Sequence, residues 1–382
     1  MSTIKSRALV IGALALALAG VAATPAHAVP AADGVDQVLA IAGSDTTEDV
    51  MGDLAAAWNS PATINTDPDV ASNIPVQAAA GSPGFTVPAD PTCGSRTYVN
   101  RAEASPPTTF PAPNGSTDGK NALAGVTPFP TDNTTTQCID IARSSSGPSG
   151  SDPAGFQYYA FALDAISWAG WAGPSPDTLT ADQIRGIYNC TFDDWSEVGG
   201  TAGPIQRYMP QNGSGTLSFF IGATYLGFDP RNFSSAGCPE VIQIQEHDLT
   251  TIDTAAEQAR AISPFSVAQW VVQGNGRETD KRSGAFIGQV SGVSPVSGTA
   301  PNLAPNTTFV TEGNFGVRRV YNIINTAQAS SGQALRLVGF DATGPGFLCN
   351  PANTAVATAI TQNGFVRFSP SGTNGTCRGE SL

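Results

Sequence analysis

Four times along this chain an apolar, strand-like run breaks off into a short loop of Ser, Thr and Gly, and no other feature constrains the fold as much. Val38-Leu39-Ala40-Ile41-Ala42 runs into Gly43-Ser44-Asp45-Thr46-Thr47, after which Val50, Met51, Leu54 and Trp58 keep helical spacing. "PNGSTDGKNALAG", 113–125, repeats the loop and a short helical run, and "CIDIARSSSGPSG", 138–150, ends a strand in Ser144-Ser145-Ser146. Pro204–Met209 reads as a strand feeding "QNGSGTLSFFIGATYLG", 211–227, whose Leu217, Phe219, Phe220, Thr224 and Tyr225 predict a helix. Strands alternating with helices give a mixed α/β architecture, and a chain of 382 residues is long enough for two lobes.

The same alternation continues to the end of the chain. "FQYYAFALDAISWAG", 156–170, is a long apolar strand. "LTADQIRGIYNCTFDDW" predicts a helix capped by Thr180, with Gln183 completing a capping box. "ARAISPFSVAQWVV" is a strand followed by a helix, "FGVRRVYNIIN" a strand, and the tail carries a terminal helix and a closing strand. Residues 60–118 and 274–313 are Gly/Pro/Ser-rich and read as long loops.

Hydroxyls at a strand-to-helix loop have an ordinary role, which is to cap the helix. They also have a chemical one. A helix start carries free N–H groups and a partial positive charge, and two glycines let the backbone come close to an anion. Open α/β sheets bind ligands beyond the carboxyl ends of their strands, so Thr46-Thr47, Ser116, Ser144-Ser145 and Ser214-Gly215-Thr216 could meet at one small oxyanion.

The N-terminus is expected to be a secretory signal peptide over residues 1–28. Lys5 and Arg7 precede an apolar run, and Ala26-His27-Ala28 offers a small-x-small cleavage site. No cysteine stands near that point for lipid attachment, so an extracellular, released protein is expected without membrane insertion. A formal charge of −13 at pH 7 excludes nucleic acid as a natural partner. Any bound anion must then be held by local dipoles and hydrogen bonds against the net field. The six cysteines are even in number and free of CxxC, which in an exported chain reads as disulfides. A sequential pairing, Cys93–Cys138, Cys190–Cys238 and Cys349–Cys377, is expected among the 15 possible.

The order of the motifs resembles the phosphate-binding protein of ABC-type phosphate importers. "AIAGSDTTEDVM", "GSTDGKNAL", "LTADQIRGIYNCTFDDWSEV", "QNGSGTLSFF", "RAISPFSVAQW" and "AITQNGFVRF" carry it, over most of the chain. The resemblance implies a two-lobed, type II periplasmic-binding-protein fold with long Gly/Pro/Ser-rich loops. Lobe 1 would hold residues 29–154 and 315–382, and lobe 2 residues 155–314. It implies inorganic phosphate or a similar oxyanion as ligand, an ABC importer permease as partner, no cofactor and no enzymatic activity. The implied ligand set is Thr46, Thr47, Ser116, Ser214, Gly215 and Thr216. Two positions depart from the family pattern. Pro210 stands where the family has Arg before G-S-G-T, and Ser145 where it has an Asp that accepts a proton from hydrogen phosphate. Arg143 and Arg207 are the candidates for the missing positive charge, Arg143 the better placed; the alternative for Arg143 is a surface ion pair.

Other function classes find less support. His247 is the one histidine beyond the signal segment and reads as a solvated surface residue, and there is no G-x-S-x-G or H-E-x-x-H. Asp193 and Asp194 beside Trp195 read as turn caps rather than as a glycosidase pair. The alternative to solute binding is a secreted structural or interaction protein that kept the fold and lost the anion.

Overall fold

The computed structural model describes residues 39–60, 85–87, 96–99, 102–106, 108–126, 138–328 and 331–381. The expected signal segment and Cys93 lie outside the described residues.

One ten-stranded mixed sheet organises the protein. Its strands are β1 (Ile41–Gly43), β2 (Ile141–Ser144), β3 (Phe156–Gly170), β4 (Gln206–Pro210), β5 (Ile242–Ile244), β6 (Ala261–Ser266), β7 (Phe286–Ile287), β8 (Val317–Asn325), β9 (Val366–Arg367) and β10 (Arg378–Glu380). The order is β1-β2-β8-β3-β6-β4-β5, with β7, β9 and β10 also on β3. β3 is the spine. Its residues Phe156–Ala165 pair with β8, and Ile166–Ala169 pair with β6. An apolar run of fifteen residues can serve this way because it is covered on both faces, and all of it except Gln157 is buried. One half of the sheet thus belongs to β1, β2 and β8, the other to β6, β4 and β5, in the two-lobed manner expected.

Helices cover the sheet: α1 (Glu48–Trp58), α2 (Ser116–Leu123), α3 (Ala181–Tyr188), α4 (Gly215–Ile221), α5 (Val267–Gly274), α6 (Ser331–Val338) and α7 (Thr354–Gln362). In α1 the predicted apolar positions Val50, Met51, Leu54 and Trp58 are the buried ones. In α3 Thr180 accepts from the Gln183 N–H and Gln183 answers the Thr180 N–H, the expected capping box. α4 is shorter than predicted. It ends at Ile221 with Gly222 as its C-cap, and Thr224 is exposed while Tyr225 is buried beyond the helix. Aromatic spacing suited to a helix here serves a turn whose Tyr225 ring lies 4.9 Å from Phe220 and 4.4 Å from Phe315. α6 falls in a stretch for which no element was predicted.

Cys190 is bonded to Cys238 and Cys349 to Cys377, as the sequential pairing expected. The remaining expected pair falls on Cys93, outside the described residues. Arg207 belongs to the Cys190–Cys238 region and not to a ligand site. Its guanidinium donates to the carbonyls of Tyr188 (2.7 Å), Phe233 (2.8 Å) and Pro239 (2.6 Å), and the residue is 1% exposed. Methionine at this position would leave those acceptors unpaired. An Arg207→Met protein is expected to lose about 3 kcal/mol in urea unfolding and to keep any anion affinity it has. Among the described residues no helix is long and apolar enough to cross a membrane.

Candidate functional site

The four hydroxyl loops meet. Gly43 closes β1 with φ +129°, and a Cβ there would run into the Arg143 carbonyl, so the first loop lies directly on the end of β2. Ser44 N–H donates to the Arg143 carbonyl at 3.1 Å, and the Ser44 hydroxyl donates to Ser145 Oγ at 2.9 Å. In the second loop Gly115, φ +93°, presses against Gly213 of the fourth, whose carbonyl accepts from Thr117 N–H at 3.1 Å. Ser116 Oγ accepts the Ser145 N–H at 3.0 Å. A Cβ on Gly215 would overlap the Ser116 and Ser145 hydroxyls, which shows how tightly the α4 start sits on the other loops.

Thr46 is the centre of the cluster. Its hydroxyl lies 3.3 Å from Thr216 Oγ1, 3.1 Å from His247 Nε2, 3.4 Å from Ser145 Oγ and 3.2 Å from Arg318 Nη2. Thr46, Ser116, Ser145, Ser214 and Thr216 are all buried. Thr47 stands apart. Its hydroxyl turns back to the Ser44 carbonyl at 3.5 Å.

Arg318 on β8 is the cation that reaches the cluster. Nη1 donates to the Ser145 carbonyl at 3.2 Å, and Nε and Nη2 hold Asp164 Oδ2 at 3.1 and 2.9 Å. Asp164 also accepts from Ser266 Oγ and from the Ala268 N–H, so the buried pair is fully bonded. Arg143 is buried beside the site and not in the hydroxyl cluster. It donates to the carbonyls of Ser44 (3.1 Å) and Gly43 (3.2 Å) and faces Glu48 at 3.7 Å. This is not the surface ion pair that was its alternative: the guanidinium braces the first loop from behind. A 420 Å³ cavity, lined by Ser145, Arg318, Phe219 and Phe315 among others, adjoins the cluster.

A family model described as "PBP superfamily domain" matches residues 28–330. The chain belongs to the PBP superfamily. This is a superfamily of periplasmic binding proteins rather than enzymes, and solved members match the fold of this PBP chain over most of its length. An ABC-type phosphate transport receptor from Vibrio cholerae superposes with a TM-score of 0.50 at 15% identity, covering 86% of this chain and 99% of the receptor. A putative phosphate ABC transporter substrate-binding protein with bound phosphate, from Clostridium perfringens, gives 0.53 at 16% identity, covering 86% and 98%. The ancestral soluble variant of the human phosphate binding protein gives 0.51 at 11% identity, covering 86% and 90%. Among curated proteins none matches.

The PBP chain carries site residues that the motifs do not announce. His247 is not at the surface. It is 6% exposed, its ring lies against Phe265, and Gln273 Nε2 donates to its carbonyl at 2.9 Å. Burial pushes its pKa well below the ordinary value, with Arg318 and Lys281 adding to the effect, so the imidazole is neutral. Beside it Glu246 is buried, and its Oε2 accepts the Ser214 hydroxyl at 2.7 Å. Burial raises the Glu246 pKa, while Thr216, Ser214 and Arg318 hold it down. Across the cleft Asp45 is raised too, first by burial and then by Glu246 and Glu48. Gln245 donates to Asp45 at 2.7 Å, and Gln269 donates to the Thr46 carbonyl at 3.2 Å, so the segment after β5 and helix α5 are both bonded to the first loop.

Two signals in the sequence could have found the missed residues. Asp164 is the one charge within an apolar run of fifteen, and a charge there demands a buried partner; the Arg318-Arg319 pair in the strand VRRVYNIIN offers the candidates. Gln245-Glu246-His247 follows a short edge strand at the opposite end of the sheet order from β1, and it meets the first loop only through the contacts of Gln245 with Asp45 and of His247 with Thr46.

Proposed function

We propose that this protein captures a small oxyanion, phosphate foremost, between its two lobes and passes it to an ABC-type importer. The observation that carries the reading is the convergence of Thr46, Ser116, Ser145 and Thr216 from four loops, with Arg318 donating into the same cluster. Hydroxyls and N–H groups with one guanidinium suit a dehydrated tetrahedral anion, because a buried anion gains most from charge-assisted hydrogen bonds. The solved neighbours named for phosphate transport support this reading. Thr46, Ser116, Ser145, Ser214, Gly215 and Thr216 form the proposed ligand set with Arg318, and Thr47 and Arg143 support it from behind. The lobes are residues 29–154 with 315–382, and 155–314, closing by hinge motion at β3 and β8. Removal of residues 1–28 delivers the protein outside the cell, where its disulfides persist.

The test is calorimetric titration of phosphate-stripped protein with phosphate and with sulfate. Micromolar or tighter binding is expected, and Ser214→Ala and Thr216→Ala are each expected to weaken it about ten- to a hundredfold. One observation favours a second reading, a structural or interaction protein without a ligand. The Ser214 hydroxyl already serves Glu246, and Arg318 already serves Asp164. No heat with either anion from a cooperatively folded protein would decide for that reading.

A further inference from the structure

Glu246 is a buried carboxylate inside a cluster of hydrogen-bond donors, and its two oxygens are treated differently. Oε2 accepts from Ser214 Oγ at 2.7 Å and lies 3.5 Å from His247 Nε2. Oε1 is buried without a hydrogen-bond partner. An unpaired buried carboxylate oxygen costs free energy as long as it carries charge, and a proton on it turns the cost into a donor. Ser214 and Thr216, the groups that press on this carboxylate, are also the donors proposed for the ligand.

The charges around Glu246 sharpen the conflict. From the first loop Asp45 faces it, with Glu48 behind Asp45. From β8 Arg318 faces it, already paired with Asp164 at 2.9 Å. Arg143 on β2 acts on Asp45 and is drawn toward Glu48. His247 on its own loop is kept neutral, with Lys281 beyond it. The acids near the cluster therefore outnumber the cations. An anion placed among Thr46, Ser116, Ser145 and Thr216 would meet the Glu246 carboxylate with no free cation between them, and like charges in contact repel strongly away from bulk water.

We infer that anion capture by this site is coupled to proton uptake by Glu246, whose Oε1 becomes an O–H donor while Oε2 releases Ser214 to the ligand. The inference rests on the oxyanion reading and adds a proton to it. His247 is a poor recipient, because a cation there would face Arg318 and Lys281. The sign follows from linkage. Burial already lifts the Glu246 pKa, a bound anion lifts it further, and binding therefore strengthens as pH falls.

The experiment is calorimetric titration of the full chain and of Glu246→Gln with phosphate at pH 6, 7 and 8, each in two buffers of different ionisation enthalpy. The buffer dependence counts protons taken up per anion bound. Phosphate's own ionisation contributes equally to both proteins and cancels in their difference. At pH 8 the wild-type chain is expected to take up about one proton more than the variant, and its affinity to fall more steeply with pH, by up to about tenfold per unit. Binding by Glu246→Gln alone, with none by wild type, would overturn it, since the carboxylate would then exclude the anion instead of taking up a proton. Equal proton counts and parallel affinities would overturn it and leave the oxyanion reading standing. Failure of both proteins to bind any phosphate would overturn the oxyanion reading itself. Should Glu246→Gln not unfold cooperatively, infrared difference spectra of wild-type protein decide: a protonated-carboxyl band appearing with phosphate supports the inference, and its absence overturns it.

Discussion

Replacing Arg318 with methionine is expected to abolish oxyanion binding and to cost about 3–5 kcal/mol of stability. Both effects come from one guanidinium. It donates to Thr46 Oγ1 and to the Ser145 carbonyl, so its loss removes the cation at the hydroxyl cluster and loosens two of the four loops. It also pairs with Asp164, which is 1% exposed and sits in the middle of β3. Methionine fills much of the same volume and leaves that carboxylate buried and uncompensated. The double variant Asp164→Asn/Arg318→Met separates the two effects. Asparagine Oδ1 still accepts the Ala268 N–H and its amide nitrogen can donate to the Ser266 hydroxyl, so stability is expected to return while binding stays lost. Urea unfolding and phosphate calorimetry on the three proteins check this. Wild-type affinity in either variant would show that the anion does not depend on Arg318.

Alanine at Gly215 is expected to weaken oxyanion binding on the order of a hundredfold while the protein still folds. The added methyl must displace the Ser116 and Ser145 hydroxyls, which come from the second and third loops. Overpacking of this kind costs typically 1–3 kcal/mol, and here the lobes can escape it by parting, so the penalty falls on closure rather than on either core. Small-angle scattering should show the variant more extended than wild type, with little change in its thermal midpoint. A variant that binds phosphate as tightly as wild type would mean that the hydroxyls move aside without cost.

The frame of the molecule was legible in its sequence because its elements carry strong local signals. β3 announces itself as a long apolar run, α3 by a complete capping box, and α1 by four apolar residues at helical spacing. The four loops were legible for the same reason, since strand ends and glycines mark them. The charged members of the site were not. Arg318 reads like any strand residue until its register places it against Asp164 on β3. Glu246 and His247 look like a polar, solvated loop, and their burial comes with contacts made far away in the chain, Gln245 to Asp45 and His247 to Thr46 of the first loop. Nothing within a few residues of them encodes that. Arg143 and Arg207 misled in the opposite way: an arginine near a ligand motif suggests an anion, whereas both are spent on backbone carbonyls.

The shared strand β3 also sets an order of assembly. Residues 166–170 and the strands between 206 and 287 lie close together in the chain, so that half of the sheet can pair as soon as it is made. The other half cannot. β3 at 156–165 waits for β8, β9 and β10, which arrive only with the 66 residues from Val317 to Leu382. Contacts across that separation are slow to form because a long loop must close first. The N-terminal segment with β1 and β2 is thus the first to be synthesised and the last to find its place. A chain truncated before Val317 would carry every hydroxyl of the cluster and still lack Arg318, the arginine that joins Thr46 to Ser145.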